Sequence, residues 1–194
     1  MTTIDVARVQ AVAIGASAGG VDALAVLLPA LPPRLRAPVF VVLHLPPDRP
    51  SVLADLMQRY TSAEVREAED KDAVVDGRVY FAPPDYHLLI DDGQTLALSA
   101  DEPLNYSRPS IDALFESAAD AYGDGLLAIV LTGASRDGAD GLRAVRAAGG
   151  MTLVQDPRDA RVPLMTEEAI RSGAVDLVLP LHHIAGILQA LPHD

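Results

Sequence analysis

Ile14-Gly15-Ala16-Ser17-Ala18-Gly19-Gly20 follows the apolar run Val12-Ala13-Ile14 and opens Val21-Asp22-Ala23-Leu24-Ala25-Val26-Leu27-Leu28, whose apolar residues recur at helical spacing. The pattern reads as a strand, a sharp turn and a helix. The turn would present the Ser17 hydroxyl at the carboxyl end of the strand, in front of a helix N-terminus whose unpaired N–H groups favour negative charge. Gly15 would permit a tight exit from the strand. Gly19 and Gly20 would let other backbone or a ligand approach closely. Asp22, in the first helical turn, suits the helix dipole and reads as structural. Three readings are open at this point: a dinucleotide fingerprint with Ser17 in place of the middle glycine, a turn without chemistry, and a nucleophile elbow of the form G-x-S-x-G.

The 194 residues suit one domain. No apolar run approaches the eighteen or so residues of a membrane span, and the N-terminus lacks the basic and apolar regions of a signal peptide, so a cytoplasmic protein is expected. The chain contains no cysteine, which excludes disulfides, thiolate catalysis and cysteine metal sites. A formal charge of −12 argues against a nucleic-acid partner, because a phosphate backbone would be repelled.

Beyond the first helix, residues 29–38 form a proline-punctuated connection. Val39-Phe40-Val41-Val42-Leu43 is a continuous apolar run, the signature of a strand buried on both faces of a parallel sheet, and it ends at His44. Ser51 reads as the N-cap of a helix with Val52, Leu53, Leu56, Met57 and Tyr60 on its inner face. Residues 64–76 are charge-rich, with room for one short strand. Val79-Tyr80-Phe81, Leu88-Leu89-Ile90 and Leu96-Ala97-Leu98 follow, the last two flanking Asp91-Asp92-Gly93, a hairpin signal. His87 reads as structural. Ser110 is expected to cap a helix whose buried stripe is Ile111, Leu114, Phe115, Ala118 and Tyr122. Arg108, just before it, could bind a carboxylate or a peptide carbonyl, or form a surface ion pair. Residues 126–131 are a third apolar strand, with Thr132-Gly133-Ala134-Ser135-Arg136-Asp137-Gly138 as its exit loop. A helix stopping at Gly149-Gly150, a strand at 151–155, a short helix starting at Thr166, a strand at 174–179 and a final helix complete the chain. The alternation implies a doubly wound, mostly parallel α/β sheet with helices on both faces and a small antiparallel hairpin region.

A serine nucleophile needs a base within hydrogen-bond reach, and the base needs a group that fixes its tautomer. The expected carboxyl edge of the sheet offers Ser17, His44 and Asp137, from three different strand-to-helix loops. Ser17 with Asp137 and His182 or His183 is the rival set, in the order of the α/β-hydrolases. His44 is favoured because it ends a buried central strand, while His182 and His183 are expected at the start of the last helix.

Gly15-Ala16-Ser17-Ala18-Gly19-Gly20, His44-Leu45-Pro46-Pro47, Arg108-Pro109-Ser110-Ile111-Asp112-Ala113-Leu114-Phe115, the 132–138 loop and Gln155-Asp156 together resemble the CheB family of chemotaxis protein-glutamate methylesterases, in order and approximate spacing. The resemblance runs from about Val12 into the final helix. It implies Ser17 as nucleophile, His44 as base, Asp137 as the residue orienting the histidine, and Ala18, Arg108, Ala134 and Met165 beside the substrate. It further implies hydrolysis of glutamate methyl esters on chemoreceptor cytoplasmic helices, deamidation of receptor glutamines by the same acyl chemistry, and no metal or organic cofactor. The chain departs from the family pattern at Ala134, where Met is common, at Ala18 for Thr, at Ser107 for His, and in Leu164-Met165-Thr166 for Gly-Met-Pro. Those changes bear on specificity and rate more than on reaction class. They keep open a second reading, a chemosensory binding module without turnover. Family members commonly carry an N-terminal receiver domain. Here residues 1–10 read as an extension and 11–194 as the catalytic domain, so control by a separate response regulator is the expectation.

Overall fold

The computed structural model describes residues 4–44 and 52–194. Ser51, the expected helix cap, lies outside them. Seven strands form one sheet: β1 (Ala11–Ala16), β2 (Val39–Leu43), β3 (Glu64–Glu67), β4 (Arg78–Phe81), β7 (Leu126–Val130), β8 (Met151–Gln155) and β9 (Leu177–Leu179). Their order is β3-β4-β2-β1-β7-β8-β9, and every pairing is parallel. The two remaining strands, β5 (His87–Asp91) and β6 (Thr95–Ser99), make a separate antiparallel hairpin. Val79-Tyr80-Phe81 therefore belongs to the parallel sheet and not to the hairpin patch beside which it lies in sequence.

Strand period two sends alternate side chains into two cores. Val12, Ile14 and Ala16 of β1, with Leu127 and Ile129 of β7, pack against α1 (Gly20–Leu27), α2 (Leu53–Met57) and α6 (Leu181–Gln189). Ala11 and Ala13 of β1, with Ala128 and Val130 of β7, face α3 (Ile111–Tyr122), α4 (Ala139–Ala147), α5 (Leu164–Arg171) and the hairpin. Both faces are covered, which is why β1, β2, β7 and β8 are buried at every position. Among the described residues no helix is long and apolar enough to cross a membrane.

Further details depart from the sequence reading, among them α5, which starts at Leu164 and not at Thr166. The helix after residue 52 is one and a half turns followed by a 3-10 turn at Gln58–Tyr60, so Leu53 and Met57 are buried while Val52 and Tyr60 are exposed. The last strand covers half of the expected run. Gly15 does not break β1, which continues to Ala16; a β-carbon there would stand 2.4 Å from Ile111 Cγ2, so the glycine admits α3 against the sheet.

Candidate active site

The strand order reverses between β1 and β7: from β1 the chain winds outward through β2 on one side, and β7 starts the other half. Loops leaving adjacent strands in opposite directions open a crevice at such a point. Ser17 leaves β1, the 132–138 loop leaves β7, and His44 leaves β2. A cleft of about 670 Å³ opens there, lined by Ser17, His44, Asn105, Tyr106, Ser107, Ala134, Ser135, Arg136, Leu164 and Glu168.

The Ser17 turn is fastened to its neighbour. Ser17 N–H donates to Thr132 O at 2.9 Å, and the Thr132 hydroxyl donates to Ala18 O at 2.9 Å while accepting Val162 N–H. The left-handed residue of the turn is Gly19, at φ 84°, and Ser17 itself keeps a negative φ. The strain of a hydrolase elbow at the nucleophile is thus carried two residues later, where glycine carries it without a Cβ clash. Space beside Gly19 and Gly20 is taken by Arg161 and Leu43, so these glycines serve side-chain packing.

His44 Nε2 lies 2.8 Å from Asp137 Oδ2. An ionised carboxylate can only accept, so Nε2 carries the proton and Nδ1 keeps a lone pair. Asp137 is wholly buried and densely bonded. Its Oδ2 also accepts Ile111 N–H at 2.6 Å, and its Oδ1 accepts the Ser110 hydroxyl at 2.9 Å, Asp112 N–H at 3.1 Å and the Asn105 amide at 3.4 Å. Burial pushes this carboxyl up, but the His44 hydrogen bond, the Ile111 N–H, the charge that His44 carries once protonated and the Asp112 N–H outweigh it and hold the group below the usual carboxylate range. The position at the start of α3 adds the helix dipole to the same effect. Ser110 caps that helix as expected, accepting Ala113 N–H, and its hydroxyl proton goes to Asp137.

The Ala134 N–H faces no acceptor among the described residues, whereas Gly133 N–H is engaged by Val162 O and His44 N–H by Ala16 O. Ala134 lines the cleft, and its amide is one backbone donor there for a developing oxyanion. Met165 is fully buried, with its N–H on Gly133 O, and a β-carbon on Gly133 would meet both Met165 Sδ at 2.7 Å and Ser17 Cβ at 2.8 Å. Met165 thus packs beneath the loop, not on the cleft wall. Ala18 is exposed, and its carbonyl is held by Thr132. Arg108 spends its donors elsewhere: Nε and Nη2 go to Asp85, and Nη1 goes to the Ala100 and Asp101 carbonyls. For Arg108 to reach a substrate, that clasp would have to open. His182 and His183 sit against each other on the exposed side of α6. His87 is buried, accepts Ser110 N–H at Nδ1 and donates from Nε2 to Glu102 O, so it secures the segment that feeds Asp137.

Asn105, Tyr106 and Asp112 carry roles that composition and periodicity did not single out. Asn105 and Tyr106 are consecutive left-handed residues at the cleft wall, with φ 49° and 63°, and Tyr106 is fully exposed. Asp112 did leave a signal: an acid spaced with Phe115 and Ala119 on the buried face of α3.

Residues 12–188 match the CheB methylesterase family model. A Leptospira interrogans protein is 42% identical over 185 residues, covering 95% of this chain and 96% of its own. The protein-glutamate methylesterase/protein-glutamine glutaminase 2 of Anaeromyxobacter dehalogenans is 43% identical over 185 residues, 95% of this chain and 54% of that protein. The crystal structure of the Thermotoga maritima CheB methylesterase catalytic domain superposes with a TM-score of 0.89 at 34% identity, covering 93% of this chain and 97% of that one. With a match of that extent laid over a doubly wound sheet whose switch point holds the serine and histidine, the chain belongs to the CheB methylesterase family.

Proposed function

We propose that the chain hydrolyses glutamate γ-methyl esters on the cytoplasmic helices of chemoreceptors, with Ser17, His44 and Asp137 as its catalytic machinery. The observation that carries this reading is the arrangement of His44. It shares the cleft with Ser17, has no partner on Nδ1 among the described residues and is anchored through Nε2 to a buried, ionised Asp137.

Ser17 Oγ attacks the ester carbonyl carbon as His44 Nδ1 takes its proton. The Ala134 N–H and the amides at the start of α1 stabilise the tetrahedral oxyanion. Collapse breaks the bond to the methoxy oxygen, which leaves as methanol with the proton from His44. Water, deprotonated by His44, then attacks the acyl-serine ester, releasing the glutamate and restoring Ser17. With a glutamine substrate, ammonia departs at the corresponding step, in line with the glutaminase activity named for the Anaeromyxobacter relative.

The proposed controlling partner is a separate response regulator, and the proposed compartment is the cytoplasm, where the receptor helices lie. The test is methanol release from methylated receptor fragments by the purified 194-residue chain. Ser17→Ala is expected to abolish turnover, and Asp137→Asn to reduce it by about 10⁴-fold, as loss of the orienting carboxylate does in serine hydrolases. Full activity in Ser17→Ala would overturn the assignment. Receptor binding without any turnover in the wild type would point instead to a binding module.

A further inference from the structure

Asp112 and Asp137 exchange helix ends. Asp137 precedes α4 in the chain, yet its carboxylate accepts the first N–H groups of α3, those of Ile111 and Asp112. Asp112 belongs to α3, yet its Oδ1 accepts the N–H groups at the start of α4, Gly138 at 2.9 Å and Gly141 at 2.7 Å. The Asn105 amide bridges the two, donating to Asp112 Oδ2 at 2.8 Å and to Asp137 Oδ1 at 3.4 Å. Gly138 directly follows Asp137, so the hold on its N–H fixes the backbone on which the Asp137 side chain is mounted.

We propose that Asp112 is a positioning residue for the hydrolysis: it ties the segment carrying Asp137 to the start of α3 and so sets the carboxylate that orients His44. The proposal rests on the assignment of Ser17, His44 and Asp137 made above. Asp112 touches neither the cleft nor a reacting atom; it acts through Asp137.

The same contacts explain why its ionised form matters. Oδ1 is occupied by two N–H donors, so a proton on this carboxyl would go to Oδ2, where it meets the Asn105 N–H. The O–H formed there donates toward Asp137, so the carboxylate that orients His44 gains a donor beside the Asn105 amide and its hydrogen bonds are redrawn. Burial favours that protonation, the Gly141 N–H opposes it, and the Asp137 charge favours it again, leaving the group at about 6. The ionisable groups around this helix start are Asp137 with His44 behind it, His87 of β5, Asp140 beside Gly141, whose partners are Arg136 and Arg143, and Glu116 one turn along α3. The β1 and β7 strands meet α3 with alanine, glycine and aliphatic side chains.

The test compares kcat, KM and the pH profile of wild type, Asp112→Asn and Ser17→Ala, with far-UV circular dichroism at each pH. Asp112→Asn is expected to lower kcat on the order of 10- to 100-fold, the cost of a small misplacement in a catalytic set, with KM within twofold. The acid limb of log kcat is expected to be steeper in the wild type than in Asp112→Asn, because only the wild type can take up a proton at this position. A folded Asp112→Asn with kcat within threefold of wild type overturns the positioning role while leaving an inactive Ser17→Ala intact. Should Asp112→Asn not fold, Asp112→Glu decides: it keeps the charge but moves the carboxylate off Gly138 and Gly141, and a folded Asp112→Glu with kcat within threefold of wild type overturns the role. An active Ser17→Ala brings down the assignment and this inference together.

Discussion

Asp112 and Asp137 sit side by side at the same helix start, and their surroundings move them in opposite directions. For Asp137, the opposing push of burial is overcome by the His44 and N–H hydrogen bonds and the charge that His44 carries once protonated, and the carboxyl is held low. For Asp112, burial and the charge of Asp137 prevail over its N–H donors, and the carboxyl is raised to about 6. The consequences for stability have opposite signs. Asp112 binds a proton more readily folded than unfolded, so its contribution is fully present below the unfolded value, near 3.8, and is lost as pH rises through about 6. Asp137 binds its proton less readily folded; its contribution is present above that unfolded value and is lost as pH falls through its lowered folded value. Between these limits, acidification from pH 7.5 to pH 5 should raise resistance to urea, even as catalysis declines. Glu116, raised by partial burial and by Asp140, Asp120 and Asp137, works in the same direction as Asp112. The effect of Asp112 is therefore isolated by difference: urea midpoints at the two pH values should lie closer together in Asp112→Asn than in wild type. Equal pH dependence in the two proteins would show that Asp112 is ionised over the whole range.

At the scale of elements, the strong apolar runs announced the central strands because burial on both faces leaves no polar alternation to obscure them. Val39–Leu43 was readable to the residue. The helix cap at Ser110 and the position of His44 at a strand end were equally plain. What escaped reading depended on contacts between distant segments. The edge strand Arg78–Phe81 looks like a partner of the neighbouring hairpin until its parallel pairing with β2 is seen. Asp112 resembles any acidic residue in a first turn until α4 is placed against it. Gly15 is the clearest such case, because its reason is a helix ninety-six positions away in sequence. Gly15→Val would drive side-chain atoms into Ile111 and push α3 off β1, with an expected loss of roughly 1–3 kcal/mol for overpacking. Ile111 N–H is also a donor to Asp137, so the displacement reaches the site. Gly15→Val should therefore lose activity at temperatures where circular dichroism still reports a fully folded chain, whereas an overpacking change on the opposite core, such as Ala23→Val, should lower the melting temperature without that loss. Parallel decline of activity and folded fraction in both variants would remove the link through α3.

For the molecule as a whole, the switch point between β1 and β7 gathers three loops that are far apart in sequence, and it places them at one end of a strongly acidic body. The formal charge is −12, while charges at the cleft mouth are matched locally: Arg136 faces Asp140, and Glu168 pairs with Arg171. The unbalanced negative charge therefore acts on an approaching partner at long range, not on the bound ester. A receptor helix gains a glutamate carboxylate with each ester removed, so partner and product are both acidic. Their approach should be hindered at low ionic strength, where the screening length is about 30 Å, and relieved near 0.15 M, where it is about 8 Å. The expected outcome is a rise of roughly threefold or more in kcat/KM for a receptor fragment between 10 and 150 mM salt, since long-range charge acts mainly on association. A small neutral ester, whose approach feels no field, should change by less than about twofold over that range, because the buried His44–Asp137 pair is shielded from added ions. If the receptor fragment instead reacts more slowly as salt increases, a basic docking surface outweighs the net charge, and mapping the salt effect across single arginine substitutions, beginning with Arg136, would locate it.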